Sequence, residues 1–86
     1  MMTDLMEALF NYAQKHLLPG YLYQDEIYLA SDRCAERQRE LVRAALDKEG
    51  EGHLTNLIDE LELVQFARDR AVFLCGFHLA TELGRA

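Results

Sequence analysis

The sequence predicts an all-α protein in which a short N-terminal helix packs on a long antiparallel helical hairpin, like a three-helix bundle, with dimerisation expected. Three observations predict it. Apolar residues recur at three- and four-residue steps through most of the 86 residues, no segment alternates with the two-residue period of a strand, and one proline, Pro19, stands in the whole chain. At this length a single domain is expected, close to the size at which one core is only just sufficient, and burial against a partner is a common remedy.

The first helix is predicted from Thr3 or Asp4, either of which can cap it, with Glu7 three residues after Asp4 in a capping-box pattern. Leu5, Met6, Leu9, Phe10, Ala13 and Leu17 form its apolar face. Pro19-Gly20 is expected to stop it near Leu18 in a type II turn, leaving Tyr21, Leu22 and Tyr23 to fold back onto the core. The second helix is expected from Gln24 or Asp25 to about Lys48. Its seam runs through Ile27, Tyr28, Cys34, Ala35, Leu41, Val42, Ala45 and Leu46 and is interrupted by Ser31 and Gln38, a narrow, small-residue stripe of the kind that meets another helix. Its outer face carries charges of both signs, and Glu36 with Arg39 and Glu40 with Arg43 fall three apart, where pairs support helix by about 0.2 to 0.5 kcal/mol each.

Gly50-Glu51-Gly52 is the expected turn, after which Leu54, Leu57, Ile58, Leu61, Val64, Ala71, Val72, Cys75, Leu79 and Leu83 mark the seam of a third helix. Residues 54–83 hold no proline and one internal glycine, Gly76. A continuous helix there would extend about 45 Å. Residues 71–80 are apolar almost all the way round, with His78 the one polar interruption, so this segment requires neighbours on several sides.

Composition narrows function without naming it. Half the residues are hydrophobic and about a quarter charged, as in ordinary globular proteins. A net charge of −6 disfavours nucleic acid, whose binding draws on Lys and Arg neutralising phosphates; Arg33, Arg37, Arg39 and Arg43 cluster on the second helix but interleave with Asp32, Glu36 and Glu40. No secretory signal and no run of roughly 20 apolar residues is present, so a cytoplasmic protein without a membrane span is expected. In a hairpin turning near Gly50, Cys75 falls on the order of 10 Å from the residue opposite Cys34. That is too far for a disulfide, so two buried free thiols are expected.

The tail Phe73-Leu74-Cys75-Gly76-Phe77-His78-Leu79-Ala80, behind Leu57-Ile58-Asp59 and a short first helix ending near proline, resembles a family of short uncharacterised all-helical bacterial proteins. Those proteins carry a C-terminal Phe-x-x-Gly-Phe-x-Leu stretch and occur in Gram-positive bacteria. The resemblance implies a helical fold in a bacterial cytoplasm and no particular activity.

Gly76 and Ala80 have the small-xxx-small spacing that lets another helix backbone approach, and two intramolecular neighbours would leave one side of this helix uncovered. Phe73, Leu74, Gly76, Phe77 and Ala80 are therefore the expected interface, their role being packing. Catalytic and cofactor-binding residues are not expected: no phosphate loop, nucleophile elbow or repeated Glu-x-x-His pattern occurs, and Asp59, Glu60, Glu62 and Asp69 read as solvated carboxylates. No metal site is expected either. The alternative is a small metal- or ligand-binding bundle using Cys75 and His78, which are spaced to supply two ligands from one face, with Cys34, His16 or Glu82 to join them. Tyr12, Tyr21, Tyr23 and Tyr28 are expected to cover the open end of the hairpin. The function expected is that of a homo-oligomeric protein-protein interaction or accessory factor, its protein partner unnamed, and not of an enzyme.

Overall fold

The computed structural model describes residues 2–85, and every element among them is helical: α1, Asp4–Tyr12; a π-helical turn, Ala13–Leu17; α2, Leu18–Gln24; α3, Glu26–Ala45; and α4, Lys48–Arg85. The all-α class stands. None of these helices is long and apolar enough to cross a membrane.

Thr3 caps α1, its Oγ1 accepting from the Met6 N–H at 3.2 Å, which makes Thr3 and not Asp4 the N-cap. Glu7 is thereby freed from any capping box and pairs with Arg70 of α4 at 3.4 Å. The expected stop at Pro19-Gly20 does not occur. The chain widens into a π turn over Ala13–Leu17, where the Leu18 N–H bonds five residues back to the Ala13 carbonyl, and α2 restarts with proline in its first turn. Proline is tolerated there because a first-turn N–H has no intrahelical acceptor to lose. No residue among those described has positive φ, so Gly20 sits in α2 and not at a turn corner. Tyr21 and Tyr23 consequently project from a helix into solvent, while Leu22 is half-buried.

Asp25 alone separates α2 from α3. Its extended backbone closes the first helix, and its Oδ1 accepts from the Tyr28 N–H at 2.9 Å to open the second. The next turn is also shorter than its glycines predict. α3 ends at Ala45, Leu46 is extended, and Asp47 starts α4 by accepting the Gly50 N–H on Oδ1 at 2.8 Å and the Glu51 N–H on its carbonyl at 2.9 Å. Gly50 and Gly52 thus lie inside α4, the Asx cap offsetting about 1 of the roughly 2 kcal/mol that two glycines cost a helix. Asp47→Ala is expected to lose about 1 kcal/mol of stability and to speed amide exchange in the first turn of α4, as read by denaturant melts and hydrogen exchange.

α4 has 38 residues, about 57 Å at the standard rise, and the longest dimension of the molecule is 57 Å. α1 lies against its C-terminal half. Phe10, at 4 % exposure, is the one buried hydrophobic residue among those described. Its ring meets Phe66 and Phe73 edge-on at centroid distances of 5.6 and 5.5 Å, a favoured geometry for aromatic pairs. Gln14 Nε2 donates to Asp69 Oδ2 at 3.3 Å beside this cluster.

The α3–α4 pairing is far looser. Arg43 reaches Glu51 across the turn at 3.9 Å, and Leu54 and Ile58 are half-buried. Farther out the expected seam is open: Leu41, Leu57, Leu61 and Val64 are exposed, and Ile27 is 80 % exposed. Cys34 and Cys75 are free thiols but exposed ones, because the seam that would have buried them does not close. The solvent-accessible area is 7470 Å², whereas a compact monomer of 9.9 kDa would expose about 5200 Å². The radius of gyration is 17.3 Å, against about 12 Å for a compact chain of this length.

Candidate interaction surface

α4 brings most of the expected site residues onto one helix and presents them differently. Phe73 and Leu74 are half-buried, Phe73 through its contact with Phe10. That part of the expected interface is therefore already engaged by α1. Phe77 stacks loosely on Phe73, with centroids 6.4 Å apart, and stays 38 % exposed. Gly76 and Ala80 are open, and a Cβ built on Gly76 would meet nothing within 4 Å.

Beside Phe77 runs an open groove of about 890 Å³, bounded on the α1 side by Met6 and along α4 by Leu74, Cys75, His78 and Leu79. Cys75 and His78 share this groove, as their three-residue spacing requires. No cluster of three or more His, Cys, Asp or Glu able to hold a metal forms among the described residues, so the pair has no third such ligand beside it in the chain. A second, smaller groove of about 340 Å³ lies between the π turn and α4, walled by Leu17, Leu18, Tyr21 and Val72.

The charged face of α3 is partly self-paired. Arg39 pairs with Glu36 as the spacing predicts, but Arg43 leaves Glu40 and turns to Glu51 of α4. All four tyrosines are exposed and distributed over α1, α2 and α3. They form no cover over the hairpin's open end, because α2 is a helix that points Tyr21 and Tyr23 outward.

One contributor was absent from the seam read in the sequence. Phe66 is a main contact of Phe10, and its signal was the seven-residue step to Phe73 followed by the four-residue step to Phe77, an aromatic ladder on one face of α4. Seam positions Leu57, Leu61, Val64, Val72, Cys75, Leu79 and Leu83 instead remain exposed. Searches of family models, curated proteins and solved structures return no match to this chain.

Proposed function

We propose that this protein works by association: it forms a homo-oligomer, most simply a symmetric dimer, and acts as an interaction or accessory factor through the surface the oligomer leaves free. The observation that carries this reading is the excess of accessible surface. About 2300 Å² beyond that of a compact monomer is on display, much of it leucine, valine and isoleucine on α3 and α4. A stable interface of ordinary size removes about 800 Å² from each partner, and obligate dimers remove more. Association with a second copy is where the loosely paired α3–α4 hairpin gains the neighbours it lacks. The groove around Phe77 remains available to a partner protein. A reducing, cytoplasmic setting suits the two exposed free thiols, Cys34 and Cys75.

Sedimentation equilibrium or light scattering over a concentration series tests this. A mass of twice 9.9 kDa that falls on dilution is the expected result. A mass of 9.9 kDa at every concentration, with the chain folded, would refute it.

A further inference from the structure

The open seam of α4 has its own register. Residues 57, 61 and 64 are followed at steps of four, four and three by 68, 72 and 75, and then by 79 and 83, so the pattern repeats every 11 residues. An 11-residue repeat averages 3.67 residues per turn, close to the α-helix's own 3.6, so the stripe follows a nearly straight helix without drifting off its face. It spans 27 residues, about 39 Å. Leu61 is 55 % exposed, Leu79 61 % and Leu83 75 %. Arg68 is the single charge within it.

The middle of this stripe turns away from the face that α1 covers, while Val72 borders the π-turn groove and Cys75 and Leu79 border the groove beside Phe77. Val64 precedes Phe66 by two residues and Cys75 follows Phe73 by two, which places each about 160° round the helix from a ring that Phe10 covers. α1 therefore occupies one side of α4 and leaves a second apolar line, nearly opposite, without an occupant.

Resting on the homo-oligomer reading above, we infer that the occupant is the same stripe of a second copy, packed antiparallel about a two-fold axis near residue 70. Three features favour that occupant and direction. The surplus surface, about 2300 Å², is ample for the roughly 800 Å² that a stable dimer removes from each partner. The stripe is self-complementary when reversed: Leu57 meets Leu83, Leu61 meets Leu79, Val64 meets Cys75, and Arg68 meets Val72. A parallel, in-register pair would set the two Arg68 guanidinium groups against each other in the middle of an apolar seam, where unpaired like charges are costly, and the antiparallel pair offsets them along the axis. The pairing covers the Cys75 and Leu79 wall of the groove beside Phe77 and leaves its Met6 and Leu74 side exposed.

The test is the mass of the full chain by sedimentation equilibrium for wild type, Leu61→Glu/Leu79→Glu and Phe77→Glu, with circular dichroism to show that helix is retained. Both leucines are exposed in the single chain, so the charges should leave its fold intact. The expected result is a dimer for wild type and Phe77→Glu, and a dissociation constant raised at least about 100-fold for the double variant. A wild-type monomer would overturn both the homo-oligomer reading and this seam. A wild-type dimer that survives in the double variant would overturn the seam alone. Direction is read with a short bismaleimide in a Cys34→Ala/Cys75→Ala background. Leu57→Cys mixed with Leu83→Cys should give covalent dimers and Leu57→Cys alone should not; efficient self-linking of Leu57→Cys would overturn the antiparallel arrangement.

Discussion

Phe10→Ala is expected to detach α1 from α4 and to cost about 3 kcal/mol of stability, measured as a lower urea midpoint at an unchanged slope. The size follows from how little else holds the two helices together. Phe10 is the one buried hydrophobic side chain among the described residues, and both edge-on aromatic contacts of α1 with α4 run through its ring. The polar contacts beside it cannot substitute. Arg70 and Glu7 are 3.4 Å apart with side chains about half exposed, and exposed pairs contribute about 0 to 1 kcal/mol. The Gln14–Asp69 bond needs the helices already docked. For a chain of this length total stability is on the order of 4 to 13 kcal/mol, so the loss is a large fraction of it. Hydrogen exchange should show the α1 and α2 amides unprotected while the middle of α4 keeps its protection, because α4 is held by its own length and its cap. Phe10→Leu, which retains most of the apolar volume, should recover a good part of the loss. A Phe10→Ala protein within 1 kcal/mol of wild type would mean that α1 is held by contacts other than the Phe10 ring.

Helix content was legible in the sequence because helical periodicity and the scarcity of proline both act locally. The start of the second long helix was legible to within two residues, at Gln24 or Asp25 against Glu26, while the Asp25 cap itself and the helix before it were not read. Glycine and proline misled where another local interaction competed with them. Pro19 reads as a stop, yet a π turn four residues earlier places it in a first turn where its missing N–H costs nothing. Gly50 and Gly52 read as a turn, yet Asp47 caps a helix straight through them. The candidate site was half legible. The apolar circumference of residues 71–80 marked a segment of α4 that α1 covers on one side at Phe73, but periodicity marks apolar positions without saying which neighbour covers which. The Leu57 to Leu83 line was read as the intramolecular seam, whereas α1 took the Phe66 and Phe73 side. The choice between those faces is made by the Phe10 ring, which meets Phe66 and Phe73, and the hydropathy pattern does not rank one apolar line of α4 over the other.

The glycines of the helices supply the second large expected effect, in the opposite direction. Gly20, Gly52 and Gly76 all sit within helices at negative φ, and a Cβ built at any of them meets nothing within 4 Å. Each Gly→Ala change should therefore remove unfolded-state freedom without strain, worth about 0.5 to 1 kcal/mol. The sites lie well apart on α2 and on the two ends of α4, so the gains should add to about 2 kcal/mol in the triple variant, a rise in Tm on the order of 10 °C. Gly50 is the internal contrast. Its Cβ would stand 3.1 Å from Leu46 Cδ2 and 3.2 Å from Asp47 Oδ1, pressing on the cap of α4, so Gly50→Ala should gain little or lose stability. Gly76 carries a second message. It borders the open stripe, four residues after Val72 and three before Leu79, about 40° and 60° round the helix from them. If the stripe is the seam, Gly76→Ala should raise Tm and change dimer affinity far less than Leu61→Glu/Leu79→Glu, because its methyl group stands at the seam's margin. If instead a second copy packs its backbone against Gly76, the added methyl group would meet that backbone, and Gly76→Ala would weaken association in the same concentration series that measures it.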